Sequence, residues 1–392
     1  MAIVSLRSQS ITVYDSQGWI ARSPVSSGRV GRETPAGVFS ILQKRAEHYS
    51  NLYDDAYMPH MQRLTWSGIA LHGGVLPGYP ASHGCVRMPF DFAARLFDVT
   101  QLGLRVIVSP TEVAPLEIAH PALFSPKPGM SALTAARAAE AEETTRKANE
   151  ARLAAVTAAR EAARAMVPVR VAENLLARIK GQPAMAETAL SSLVVGDRGE
   201  PEDAATSNRV TELKAQLAAA KAALEPKLRA VAPARDAAVA AEAARVAAME
   251  AAREVALDRE PISVFISRRL QRLYVRRGFQ PLFDEEITIQ DADRPIGTHV
   301  FTAVHRAQDS FRWTVVSLNT RSHESRSDAK TALDRIDIPP AALERIIGMI
   351  SLRSSLIISD EELSSETGNA TDFVLVLSGE PQGSLKIRKR VL

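Results

Sequence analysis

Cysteine occurs once in 392 residues, at position 85. A single thiol excludes an internal disulfide framework and a cysteine-built zinc finger. It fits an oxidising compartment, where spare thiols are a liability and a functional one is kept. Charge of one sign is also missing: the net charge is +3 and the isoelectric point near 9.0 reflects no single basic patch, which argues against nucleic acid as a partner. No apolar run approaches the roughly 18 residues of a membrane span. The opening MAIVSLRSQSITVYDSQG has no charged segment followed by an apolar one, so no signal peptide is legible. Hydrophobic residues, at 46%, suffice for packed cores, and the length predicts two or three domains.

What the chain does contain is concentrated in Leu71–Arg87, LHGGVLPGYPASHGCVR. The lone Cys85 stands in a turn with Ser82, His83 and Gly84, and His72 lies thirteen positions upstream. A free thiol, with a pKa of about 8.5, is only slightly ionised at neutral pH and needs a base beside it to become a nucleophile. His72 is the candidate base. The short apolar run before it reads as a strand, and Gly73 and Gly74 after it permit close backbone approach, with the Gly73 carbonyl placed to fix the imidazole tautomer. His83, two residues before the thiol, is the rival base, and otherwise lines the substrate pocket. Gly84 allows a tight turn in which the N–H groups of Gly84 and Cys85 face a developing oxyanion. Ser82 is expected to order that turn through side chain-to-backbone bonds. Arg87 is a fixed cation suited to a carboxylate. Tyr79, Trp66 and Met61 are candidates for the cleft wall, and Lys44–Met61, which carries Tyr49 and Tyr53, reads as a loop over the site.

The pair His72-Gly73 followed by Ser82-His83-Gly84-Cys85-Val86-Arg87 resembles the signature of the L,D-transpeptidases, the YkuD-type cell-wall enzymes. Thr34-Pro35-Ala36-Gly37-Val38-Phe39 is similar to the family's turn-and-strand element, and Trp66–His72 to the strand that delivers the base. Many members have Asn two residues after the cysteine where this chain has Arg87. The resemblance spans roughly residues 1 to 112. It implies a mainly β catalytic fold, no cofactor and no metal, and Cys85 and His72 as the catalytic pair. It also implies attack on a tetrapeptide stem of peptidoglycan, release of D-alanine, and transfer of the acyl group to an amine. That acceptor is a neighbouring stem in a 3→3 cross-link or the lysine of an outer-membrane lipoprotein; water in its place gives an L,D-carboxypeptidase. The implied location is the periplasm or cell envelope, at odds with the missing signal peptide.

Three regions are expected: a catalytic domain over 1–126, an Ala/Glu/Arg-rich helical region over 127–258, and a degenerate second β domain over 259–392, α+β overall. In the middle region Val210, Leu213, Leu217, Ala220, Leu224, Leu228 and Val231 follow coiled-coil-like spacing. Met130–Met166 is predicted as a second helix and Gly196–Asn208 as the turn between them, with Pro226 and Pro233 kinking or interrupting the longer one. This region either docks a protein partner or is a packed insert. In the last region Tyr274, Gly278, Phe279, Pro295 and Gly297 echo Tyr14, Gly18, Trp19, Pro35 and Gly37 at a constant shift of 260, and two residues later in register Val300-Phe301-Thr302 matches Val38-Phe39-Ser40. The copy has no cysteine, and SSETGNATD stands where its nucleophile turn is expected. Its His299, His305 and His323 lie in no comparable frame, so it suits support or glycan binding.

Two other functions were weighed. His48, His60, His72, His83 and Cys85 offer metal-binding atoms, but the tight helical spacing of zinc peptidases is absent. A cell-wall scaffold, working through the two later regions, is compatible with catalysis in the first.

Overall fold

In the computed structural model, residues 1–50, 56–126, 130–185, 188, 201–307, 310–318, 325–368 and 371–377 are described. Residues Met1–Ala135 and Leu257–Leu392 form one compact unit and Ala136–Ala256 a second.

The first unit is built on two large sheets. The first sheet contains β1 (Ala2–Ser5), β2 (Ser10–Tyr14), β3 (Trp19–Pro24) and β4 (Gly37–Ser40). A separate four-stranded ribbon follows, of β5 (Gln43–Arg45), β6 (Met61–Arg63), β7 (Ala70–Gly73) and β8 (Val86–Met88). Helix α1 (Phe90–Val99) then leads back to β9 (Arg105–Ser109) in the first sheet, and β10 (Leu116–Ile118) crosses to the second. Beyond the helical unit come β11 (Ile262–Ser267), β12 (Arg272–Arg277), β13 (Gln280–Glu286), β14 (Thr288–Ile289), β15 (Thr298–Ala307) and β16 (Ser310–Leu318). The chain ends with α5 (Ser325–Asp334), β17 (Ile336–Asp337), α6 (Pro340–Met349), β18 (Ser355–Ser359) and β19 (Leu375–Val376). The fold is thus α+β, mainly β outside its helical insert.

Within the sheets the order β4-β9-β1-β2-β3 is repeated by β15-β18-β11-β12-β13, with the same parallel and antiparallel pairings. The inner strands β1, β4, β9, β11 and β18 are short and largely apolar because both faces are buried, whereas β3 and β13 at the sheet edges are exposed. Alternation sends Val4, Phe39, Val106 and Val108 toward the ribbon and α1. It sends Ile3, Val38 and Ile107 to the other face, where they meet Phe265, Val300 and Ile357 of the second sheet. Val264, Phe301 and Leu356 face α5 and α6 in turn.

The strands follow the 262 register of the internal echo: Ile3 is equivalent to Phe265 and Val38 to Val300, so Tyr274, which pairs with Phe265, is equivalent to Thr12 rather than to Tyr14. Gln9 (φ 45°) and Gln271 (φ 49°), at the same hairpin position, obey 262 as well. Helix α6 and β18 repeat α1 and β9 at a shift of 250, so the counterpart of the nucleophile turn precedes Pro340. SSETGNATD lies elsewhere, after β18. Its continuation, β19, pairs with β4 and becomes the edge of the first sheet (Leu375↔Val38, Val376↔Gly37). Conversely β10 pairs with β16. The two halves therefore exchange edge strands.

The second unit holds α2 (Met130–Ala165), α3 (Val167–Lys180) and α4 (Pro201–Arg259), the first and last of which run past its boundaries. Helix α4 continues through Pro226 and Pro233 rather than being interrupted there, and it begins at Pro201, inside the segment expected to turn. Residues 196–200 of that segment, and His323, lie outside the described residues. Val210, Leu213 and Val231 are buried, while Leu228 is exposed. Among the described residues no helix is long and apolar enough to cross a membrane.

Candidate active site

The ribbon places the candidate residues. Strands β7 and β8 are parallel, with Leu71 opposite Val86, His72 opposite Arg87 and Gly73 opposite Met88. One residue earlier, Cys85 falls beside Ala70 and packs on it. Side chains alternate along a strand, so His72, Cys85 and Arg87 share one face while Leu71, Val86 and Met88 point into the core. Alternation and the β7–β8 register together therefore put imidazole, thiol and guanidinium on one face.

His72 is almost fully buried, and its Nδ1 lies 2.9 Å from the Gly73 carbonyl oxygen. A carbonyl can only accept, so Nδ1 carries the hydrogen and Nε2 keeps its lone pair. Burial lowers the imidazole pKa from 6.5 to about 4; the Gly73 bond opposes this, and Arg87 and His48 reinforce it. The ring is accordingly neutral at physiological pH. Burial also pushes the Cys85 thiol above its ordinary value, against the lowering effects of a backbone hydrogen bond at Ala70 and of Arg63 and Arg87. Its Sγ–H donates to the Gly68 carbonyl at 3.3 Å. The resting pair is a neutral thiol and a neutral imidazole.

The nucleophile turn is held from several directions. Gly84 sits at φ +117°, a backbone conformation strained for any side chain, so glycine is required there; a Cβ would also have to displace Ile69 Cδ1, 2.9 Å away. Its N–H donates to Ser82 Oγ at 3.1 Å, which commits within the turn one of the two amides expected to face an oxyanion. Ser82 Oγ in turn donates to the Cys85 carbonyl. Thr34 Oγ1 donates to the Gly84 carbonyl and accepts from the Gly28 N–H, both at 2.8 Å. Ser26 and Arg87 exchange backbone bonds at 2.9 Å, and the Ser82 N–H donates to the Ser27 carbonyl at 3.0 Å. The segment 26–34 thus clamps the turn, and the half-buried His83 sits within it.

The segment Lys44–Met61, expected to form a loop, is closed at its base by the β5–β6 pair and has no further strand among its described residues. Tyr49 and Tyr57 form a bridge with ring centroids 5.1 Å apart. Met58 and Met61 pack against Ala70 and Cys85, so Met61 is core rather than cleft wall. Tyr53 lies outside the described residues. Trp66 and Tyr79 are exposed at the surface, Trp66 with its ring 5.9 Å from the Arg63 guanidinium. The side-chain stem of Arg87 lies against Gly74. Gly73 is closed in by Phe90, Pro59 and Ala93.

Two features have no reading in the sequence. Arg45 and Arg63 join the thiol's face through strand register, since Arg63 pairs with Ala70 and Arg45 with Met61. Glu366 accepts the Trp66 and Ser67 N–H groups at 2.8 and 3.0 Å, and so holds the turn that presents Gly68 to the thiol. Neither has a local signal: the first needs the pairing of four strands, the second a contact across some 300 residues.

Residues 1–108 match the family YkuD, the L,D-transpeptidase catalytic domain. No curated protein matches the chain. Among solved structures, an L,D-transpeptidase from Mycobacterium smegmatis is 23% identical, with 27% of this chain and 57% of that one covered and a TM-score of 0.26. One from Stackebrandtia nassauensis is 25% identical (28% and 55% covered, TM-score 0.27). One from Xylanimonas cellulosilytica is 28% identical (27% and 58%, TM-score 0.26). The chain spans a little over half the length of each.

Proposed function

We propose that the L,D-transpeptidase domain at residues 1–108 works by cysteine acyl transfer on peptidoglycan stem peptides, with Cys85 as nucleophile and His72 as general base. The observation that carries this reading is the common face of β7 and β8, which holds both the Cys85 thiol and, two residues away in register, His72 with its hydrogen on Nδ1. His72 Nε2 takes the thiol proton as Sγ attacks the carbonyl at the L-centre of diaminopimelate in a tetrapeptide stem. The tetrahedral intermediate collapses as His72 returns that proton to the leaving amine, and D-alanine departs. An acceptor amine then attacks the thioester, gives a proton to the imidazole, and the thiolate is released and reprotonated. The Gly84 amide being engaged with Ser82, the Cys85 N–H is the turn's oxyanion donor. Ser82 and Gly84 shape the turn, His83 lines the pocket, and Arg87, Tyr79 and Trp66 bind the peptide, while the enclosed Gly73, first expected to bind it too, holds the His72 tautomer. A neighbouring stem or an outer-membrane lipoprotein lysine serves as acceptor, at the cell envelope. Water as acceptor gives L,D-carboxypeptidase activity.

Intact-protein mass spectrometry tests this. Wild-type protein should gain the acyl mass from a diaminopimelate tetrapeptide and release D-alanine, and should also be acylated by a carbapenem, whereas Cys85→Ala should do neither. No adduct from either compound would remove the acyl-transfer reading and bring forward a cell-wall scaffold. Binding of Cys85→Ala protein to isolated sacculi would then measure that role directly.

A further inference from the structure

The face that carries the thiol is unusually cationic. Across the ribbon, Gln43 pairs with Arg63 and Arg63 with Ala70, and Ala70 lies beside Cys85. One step along, Arg45 pairs with Met61, and His72 with Arg87. Alternation places Arg45, Arg63, Arg87 and His72 on the thiol's side of the ribbon, and among the described residues no carboxylate pairs with any of the three guanidiniums. Arg63 is half-buried; its Nε donates to the neutral Gln43 Oε1 at 3.0 Å, and its remaining approach is to the Trp66 ring.

Partly buried cations without a counter-charge are held at a free-energy cost, and a substrate anion is the natural relief. The two nearest to the thiol approach it from different directions. Arg87 is two residues further along the thiol's own strand, a rise of about 7 Å. Arg63 is two strands to the side, a separation of about 10 Å. Their side chains are rooted on different strands and reach the thiol from different sides.

We propose that Arg63 is a specificity-determining residue that takes a second carboxylate, distinct from the one Arg87 takes, so that the substrate is a peptide with carboxylates flanking its scissile amide. This rests on the acyl-transfer reading for the choice of peptide, but recognition precedes chemistry and is measured separately from it. Burial at Arg63 works against its charge, which agrees with a site completed by an anion. The planar guanidinium, already fixed on one side by Gln43, presents its terminal N–H pair for two-point binding of a carboxylate.

The test is calorimetric binding of three tetrapeptide stems to full-length Cys85→Ala protein: the free diacid, the form amidated at the diaminopimelate side-chain carboxyl, and the form amidated at the terminal D-alanine. Each is measured with Arg63 intact, as Arg63→Gln and Arg63→Lys, and with Arg87→Gln. Loss of one charge-assisted contact corresponds to roughly a tenfold to hundredfold weaker affinity. The expected result is that each amidation weakens binding in the parent, that Arg63→Gln abolishes the penalty of one amidation only, and that Arg87→Gln abolishes the other. Arg63→Lys should restore the penalty in part, since a point charge replaces a fork. If Arg63→Gln weakens all three peptides equally, weakens none, or no peptide binds, the proposal is overturned. If discrimination is seen but wild-type protein forms no acyl adduct with the diacid, the acyl-transfer reading fails and Arg63 recognition stands.

Discussion

Protonation of His72 gives the most direct measure of whether the site is assembled as described. In the unfolded chain the imidazole takes a proton at about pH 6.5; in the fold, burial delays this to about 4. The folded state therefore binds fewer protons than the unfolded state across this window. Its stability is fully present above pH 6.5 and declines as the pH falls toward 4. A shift of about 2.5 units, at roughly 1.4 kcal/mol per unit, gives a loss of about 3 kcal/mol from this one group. The perturbation is His72→Gln, which keeps a donor near the Gly73 carbonyl and does not titrate. Urea unfolding of both proteins at pH 7.5, 5.5 and 4.0 isolates the effect. His299, also buried and shifted in the same direction by burial, titrates in both and cancels. The stability difference between wild type and His72→Gln should change by about 3 kcal/mol between pH 7.5 and 4.0, to the disadvantage of wild type in acid. A difference independent of pH would refute the buried neutral imidazole. The same reasoning places the acid limb of kcat/KM near pH 4, and a limb at 6.5 would refute it equally.

Other predictions rest on separate contacts. His72→Ala should lower the acylation rate roughly 10²–10⁴-fold, and His83→Ala less; stopped-time mass spectrometry giving the reverse order would make His83 the base. Glu366→Ala removes the acceptor of two backbone N–H groups and should lower stability by about 1–3 kcal/mol, while slowing acylation through a looser Gly68 turn. Unchanged urea midpoint and rate would show that the carboxylate holds nothing. Gly37→Ala places a Cβ against the Leu375 carbonyl, so it should weaken the β4–β19 pairing by about 2 kcal/mol, read as faster amide exchange at Leu375.

Much of the catalytic face was legible because its chemistry is local. Cys85, His83, Gly84 and Ser82 are consecutive in one turn, and the apolar strand before His72 and the glycines after it are sequence features that survive any packing. The α+β class followed from apolar strand-length runs flanking an Ala-rich helical region. The loop reading of Lys44–Met61 holds for the described residues between β5 and β6 apart from the Tyr49–Tyr57 bridge; the pairing of its two ends is what the sequence did not show. The prolines of α4 were expected to kink or interrupt the helix, which runs through both.

The sequence by itself determined which atoms can react: one thiol, an imidazole with a carbonyl beside it, and a glycine where no side chain fits. Tertiary structure decided what surrounds them. Register across four strands aligned Arg45 and Arg63 with the thiol, because a one-residue slip would have turned both into the core. The double layer of sheets, meeting through Ile3, Val38 and Ile107 against Phe265, Val300 and Ile357, selected the 262-residue register of the echo over the 260-residue one. The exchange of edge strands made residues 366 and 375–376 part of the half that carries Cys85. Contacts between residues 300 apart leave no periodic trace in either segment, since each satisfies backbone groups that every sequence possesses.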